Sequence, residues 1–437
     1  MVSRRVRRRR RQFATVGGIL FLFLIYTVFI SGGGKKPSPA VAGHNHPSQT
    51  KFPAHSPLNP EWKGNGKAVT LAFGGDVHFA GAVGARLAQN PATALGDTPA
   101  QLFAGAQLRM VNLETALTAG QCPQVASKQY HFFAPPSAFT ALKSATVTVA
   151  ALANDHALDC GVTGLDQGLA AAKAAAFPLV GAGDNAAQAF VPYRVTIDGQ
   201  RIAVIAATQI IDPTLISAWT ATSAQPGVAS AIDPTLLVRA VQEARRTADT
   251  VIVYVHWGTE TLACPSPQQE PLAQQLVQAG ADIVIGADAH VLLGGGYLGD
   301  AYIDYGLGNF AFYDNAAPET DSGALLITVE GRHVVSTNFR PATILGGLPQ
   351  PLTGAPAATA LQNWNAARAC TNLAASPSFS LASESGETVP FTAPATTTTT
   401  SSSGTAGTGT TTSTSSTSSS STTTTPSTTT QPTDNAG

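Results

Sequence analysis

Five apolar runs in this chain end in acid, amide or imidazole side chains, and that repeated ending constrains the fold more than any other feature. "AVTLAFGG" (68–75) leads to Asp76 and His78, and "LRMVNLE" (108–114) ends in Asn112 and Glu114. "TVTVAALA" (146–153) leads to Asn154 and His156. "TVIVYVHWG" (250–258) carries His256, with Glu260 just beyond, and "DIVIGADAH" (282–290) ends in Asp288 and His290. Short, β-branched apolar runs of this kind read as strands buried on both faces. Helical stretches lie between them, at 162–176, about 233–247 and 268–279. "PLVGAG" (178–183) is a short strand, and "YRVTIDGQRIAVIAA" (193–207) is a hairpin turning at "DGQ". More strand follows at 301–310 and 323–339. Strand–helix alternation with late hairpins predicts a layered α/β domain with mixed sheets. In such sheets, ligands bind beyond the carboxyl ends of the strands. One polar strand end is a turn, because Asn and Asp satisfy nearby backbone groups. Five together predict a site, with oxygen and nitrogen ligands suited to divalent cations.

The flanks are of another kind. Residues 1–12 hold seven arginines, and 13–30, "FATVGGILFLFLIYTVFI", is an uncharged apolar run of 18. Its length suits a transmembrane anchor, and arginines on its N-terminal side alone predict a cytoplasmic N-terminus with the body exported. No small-x-small cleavage site closes the run, so an uncleaved anchor is expected. Residues 31–65 are rich in Gly, Pro, Ser and His and read as a disordered linker. Residues 376–437 are Ser/Thr-rich, almost only Thr and Ser from about 395 to 431, cannot bury a core, and read as a disordered tail. The globular domain is therefore expected over 66–375, enough for one substantial α/β unit.

Apart from the seven N-terminal arginines, 18 basic residues face 26 acidic ones, a balance near −8. That excludes a nucleic-acid footprint. Four cysteines (Cys122, Cys160, Cys264, Cys370) in an exported domain suggest two disulfides, with three connectivities open.

Six ordered motifs carry a family resemblance: "GGDVHFAG" (74–81), "VNLETALT" (111–118), "ALANDHALDCGVTGL" (151–165), "VHWGTE" (255–260), "GADAHVLLGGG" (286–296) and "YGLGNF" (305–310). Over about 68–340 the chain resembles the CapA-like, poly-γ-glutamate capsule synthesis proteins. These in turn are similar to calcineurin-like metallophosphoesterases. The resemblance implies a four-layer α-β-β-α sandwich with mixed sheets and a site for two divalent metal ions (Mn, Mg, Fe or Zn). By motif position, Asp76, His78 and His290 would hold one ion. Asn154, His256 and Asp288 would hold the other, and Glu114 would bridge them. Two cations about 4 Å apart need such a carboxylate to offset their repulsion. The family's usual histidine is replaced here by Asp288, which shifts preference toward harder ions. His156 resembles the catalytic histidine. Asp159 either orients it or caps the helix beginning near Val162, and Asp155 reads as a turn residue. Asn309 resembles a position near the family site, with a turn asparagine as its plain alternative. If the loops after Glu114 and His156 frame one pocket, Cys122–Cys160 is the natural bridge and Cys264–Cys370 the remainder.

Two functions follow. One is a membrane-anchored, extracellular, metal-dependent hydrolase that acts on an anionic polymer or phosphoester in capsule synthesis. The other is a non-catalytic subunit that binds or exports the polymer beside other capsule synthesis subunits.

Overall fold

The structure, a computed structural model, describes residues 65–313 and 316–378. The expected N-terminal tail, the anchor at 13–30, the linker through 64 and the tail beyond 378 lie outside the described residues. Among the described residues, no helix is long and apolar enough to cross a membrane.

In chain order the framework begins with β1 (Val69–Val77), β2 (Leu108–Leu113), β3 (Val149–Ala151), helix α1 (Gly161–Ala174) and β4 (Leu179–Val180). The hairpin of β5 (Tyr193–Ile197) and β6 (Gln200–Thr208) follows. Next come α2 (Thr235–Arg245), β7 (Thr250–Trp257), α3 (Gln269–Ala279) and β8 (Ile283–Asp288). The last part holds β9 (Gly295–Leu298), β10 (Ala301–Asp304), β11 (Asn309–Ala311), β12 (Asp321–Glu330), β13 (His333–Leu345), β14 (Leu348–Pro351) and helix α4 (Gly354–Ala367). The helices and the hairpin expected from sequence are all present.

These strands form two mixed sheets. The first runs β14-β13-β12-β1-β2-β3-β4, with β11 added beside the end of β1. Strands β1 to β4 are parallel, and β12 to β14 are antiparallel. The second runs β9-β10-β8-β7-β6-β5, with antiparallel pairs at both edges. The chain is thus a mixed α/β fold, as the alternation predicts.

Side-chain period decides how the sheets pack. In β7, Ile252 and Tyr254 join an apolar cluster with Leu71, Phe73, Leu108 and Met110 of the first sheet. Their neighbours Val251, Val253 and Val255 point the other way, onto Leu237 and Val241 of α2 and Leu272 and Leu276 of α3. The helical partners stand four residues apart, so each pair shares one face. The first sheet repeats the arrangement, with Ala72, Val111 and Ala150 packing outward with Leu142 and with Leu165 of α1. Strands covered on both sides need continuous apolar sequence, which is why the runs show little polar alternation.

Two close approaches fix where the strand ends meet. A Cβ at Gly75 would lie 1.7 Å from the Gly308 carbonyl oxygen, so only glycine lets β1 and the turn before β11 touch. The Asp76 N–H donates to that same oxygen at 3.0 Å. Between the sheets, the Tyr254 hydroxyl donates to the Gly74 carbonyl at 2.7 Å.

Asp304 closes β10 with its carboxyl buried beside Trp364 of α4, and Oδ1 accepts the Gly306 N–H at 3.1 Å. Burial pushes this carboxyl up to about 7, against an ordinary value of 3.8. Within that window the folded chain keeps a proton that the unfolded chain has lost, so stability falls as pH rises. Asp304→Asn removes this contribution. In urea melts of chelator-treated protein, the mutant should gain roughly 4 kcal/mol on wild type between about pH 4 and about pH 8.

Candidate metal centre

The carboxyl ends of both sheets meet at one buried cluster. β1 ends at Asp76 and β2 delivers Asn112 in register with it, with Glu114 just beyond. β7 and β8 present His256 and Asp288 from the second sheet. All five side chains are buried. The Asn112 side-chain amide nitrogen stands among three of them. It reaches Asp76 Oδ1 at 2.9 Å, His256 Nδ1 at 3.2 Å and Glu114 Oε2 at 3.3 Å. His256 turns Nε2 toward Asp288 Oδ1 at 2.8 Å and Asp155 Oδ1 at 3.1 Å. The Asp288 N–H donates to Asp76 Oδ2 at 3.2 Å, tying the two sheets together.

Three overlapping ligand groups result: Asp76, Glu114 and His256; Glu114, Asp155 and His156; Asp155, His256 and Asp288. In each group the candidate ligand atoms lie within 4.8 Å of one another. His290 stands beside them, with Nδ1 3.6 Å from Asp76 Oδ2 and Nε2 3.8 Å from Glu114 Oε1. Its Nδ1 also meets Asn309 Oδ1 at 2.8 Å, which orients the ring. Asp288 and His290 both have left-handed backbones, with φ of 92° and 56°, a strain that persists only where the surroundings over-determine it.

Charge crowding at the centre shows in the titrating groups. Burial pushes the Asp76 carboxyl up, against the pull of His290 and His256. Burial and the nearby Asp76 raise Glu114 well above the ordinary glutamate range. Burial alone would lower His256, but Asp288, Asp155 and Glu114 outweigh it and hold the imidazole well above its usual value. His290 is raised in the same way by Asp76 and Asp288. Burial would raise Asp155 too, yet His156, His256 and Lys128 hold it low. Buried carboxylates and imidazoles this close fit divalent cations, which need such ligands deprotonated.

The sequence-predicted residues divide by position. Asp76, Glu114, His156, His256 and Asp288 fall in the ligand groups, with His290 adjacent. His78 falls in none of the three groups. Its Nε2 accepts the Tyr313 N–H at 3.0 Å, and its ring stacks on Phe312 at 3.9 Å. β1 ends at Val77, so His78 stands beyond the strand, where the two-residue period no longer sets its direction. Burial, together with His156 and His290, lowers the His78 imidazole to about 3. Asn154 donates to Asn112 Oδ1 at 3.0 Å and to the Leu113 carbonyl at 2.8 Å. Its Oδ1 accepts the His156 N–H at 3.1 Å, so it shapes the loop. Asp155, read from sequence as a turn residue, enters two of the three groups. Asp159 leaves helix α1 uncapped and places Oδ2 2.6 Å from His156 Nδ1, which is the orienting role. Trp257 is core, its indole N–H donating to the Tyr305 carbonyl at 3.0 Å, and Glu260 is exposed.

Both expected disulfides are present, Cys122–Cys160 and Cys264–Cys370. The first fastens the 118–132 loop beside Asp159, and Ala126 N–H donates to the Asp159 carbonyl at 2.9 Å.

A family model described as "Bacterial capsule synthesis protein PGA_cap" matches residues 70–314, a span that holds every ligand named above. The chain belongs to this family. The capsule biosynthesis protein CapA of Bacillus anthracis is 34% identical over 236 residues, 53% of this chain and 56% of that one. The PGA biosynthesis protein CapA of Bacillus subtilis (strain 168) is 30% identical over 286 residues, 65% of this chain and 74% of that one. The chain therefore spans little more than half the length of the first of these PGA_cap relatives. A solved structure of a hypothetical protein from Thermus thermophilus is similar at a TM-score of 0.40 and 16% identity, covering 63% of this chain and 100% of that one.

Two outcomes follow from the geometry. Raised groups hold protons that an incoming cation must displace, so binding should tighten as pH rises. Calorimetric titration of chelator-treated protein with Mn²⁺ should report proton release, as a heat that changes with the buffer's ionisation enthalpy. Replacing Cys122 and Cys160 together by Ser should lower stability by about 4 kcal/mol in urea melts, the loop-entropy value for a bridge of this span.

Proposed function

We propose that this chain is a metal-dependent hydrolase of capsule synthesis, acting on poly-γ-glutamate or a related anionic envelope polymer, or on a phosphoester. The observation that carries the reading is the overlap of three ligand groups through Glu114, Asp155 and His256, with His156 at one end backed by Asp159. In this reading Asp76, Glu114, Asp155, His256 and Asp288 hold two divalent ions, with His290 closing the set. Bound there, such ions lower the pKa of a water to near neutral and polarise the bond to be cleaved. The chain supplies the proton. Asp159 fixes His156 by Nδ1, leaving Nε2 facing the ligands, 4.0 Å from Glu114 Oε1, where it can protonate a leaving group. The layering of helices, sheet, sheet and helices supports the four-layer metallophosphoesterase-like sandwich.

The apolar run at 13–30 with arginines before it supports a single membrane anchor, the N-terminus inside and the domain outside. Two disulfides agree with an oxidising compartment. The relatives' names, capsule biosynthesis protein and PGA biosynthesis protein, support the polymer assignment. A second reading, a non-catalytic subunit that binds or exports polymer beside other capsule synthesis proteins, is favoured by two observations. Asp288 replaces a histidine usual in the resembling family, and His78 falls in none of the three ligand groups.

The test is metal analysis of the purified full-length protein, followed by assays on an activated phosphodiester and on poly-γ-glutamate. The hydrolase reading expects close to two ions per chain. It also expects cleavage of one substrate that falls at least about 100-fold in His156→Ala with metal content kept. Metal-loaded protein that cleaves neither but retains the polymer on a column would establish the second reading instead.

A further inference from the structure

Lys128 lies on the 118–132 loop, apart from the strand ends that supply the ligands, and its side chain is only 8% exposed. A buried ammonium costs several kcal/mol unless it is well paired. Its contacts show where the pairing goes. Nζ lies 2.9 Å from Asp159 Oδ1, an oxygen that no hydrogen bond reaches among the described residues. It donates to the Asp155 main-chain carbonyl and lies 3.5 Å from Asp155 Oδ2. It also sits 3.1 Å from His156 Nδ1. The Trp219 ring underlies it at 5.4 Å, a cation–π contact.

We propose that Lys128 is a positioning residue that locks Asp155, His156 and Asp159 into one working geometry. The proposal rests on the hydrolase reading above. The loop grips the Asp159 carboxylate from two sides. Phe132 N–H donates to Oδ2 at 2.6 Å, and Lys128 neutralises Oδ1. Asp159 Oδ2 in turn fixes His156 Nδ1 at 2.6 Å, while the Phe132 ring stacks on the imidazole at 4.1 Å. The His156 ring is thereby held by its face through Phe132 of the loop that Cys122–Cys160 fastens, and by one nitrogen through Asp159, which that loop grips. The same ammonium restrains Asp155, a ligand in two of the three groups, through its main-chain carbonyl. One side chain therefore couples the orientation of the proton donor to the position of a metal ligand. Without it, Asp159 keeps an uncompensated buried oxygen and the carboxylate is free to turn away from His156.

The test uses full-length protein carrying Lys128→Ala and Lys128→Met, the second keeping the apolar stem in case the first folds poorly. On the substrate that wild type cleaves, kcat should fall about 100-fold, as for loss of a positioned acid, with KM within about twofold. Added ethylammonium should restore kcat about 10-fold in Lys128→Ala and leave Lys128→Met unchanged, a response that a merely structural role would not give. A kcat within twofold of wild type in both variants overturns the proposal and leaves the hydrolase reading intact. If wild type cleaves neither substrate, the hydrolase reading fails separately, and melting temperatures then decide. Losses for Lys128→Met and Asp159→Asn that overlap in the double variant support the coupling, and additive losses overturn it.

Discussion

Three buried carboxylates, Asp76, Glu114 and Asp288, share one junction between two sheets with the half-buried Asp155 at its edge, and their mutual repulsion is the constraint around which the rest is arranged. Like charges this close cannot all stay ionised in a low-dielectric site without compensation. The chain supplies part of that compensation itself. The Asn112 amide and two imidazoles reach the carboxylates, and the Lys128 ammonium reaches Asp155 from the side loop. The remaining imbalance is what the proposed divalent ions would offset.

Rigidity follows from the same place. Parallel strands packed on both faces cannot slide without exposing apolar surface, so their ends are fixed relative to one another. Glu114 and Asn112 stand on one sheet, His256 and Asp288 on the other, and the core of Phe73, Met110, Ile252 and Tyr254 between the sheets sets their spacing. The ligands therefore meet without a flexible loop to gather them, apart from the 154–159 turn, which the loop disulfide and the Asp159 contacts secure.

Much of this was legible in the sequence because the chemistry sits where apolar runs stop. The end of such a run marks a strand's edge, and an Asp or His placed there has few purely structural uses. Asp155 was not legible in that way. Between Asn154 and His156 it has the look of a turn residue, and its partner His256 lies 101 positions away on the other sheet. Lys128 sits in "PQVASKQY", a stretch with no period, and gains meaning only once the Cys122–Cys160 bridge folds the loop over His156. His78 fits a D-x-H pattern by spacing, but spacing assumes that the strand continues, and β1 stops at Val77, one residue short of it.

Gly75 offers a last consequence. A missing methyl group lets the Gly308 carbonyl approach β1, and the residue next to Gly308 is Asn309, which holds His290. The tolerance at this point is about one atom wide. Even alanine at 75 would act as a wedge, prying β11 off β1 and carrying Asn309 and His290 with it. Such a chain would keep every ligand in its sequence and lose their convergence in space. The geometry of the centre is set in part by an atom that is absent.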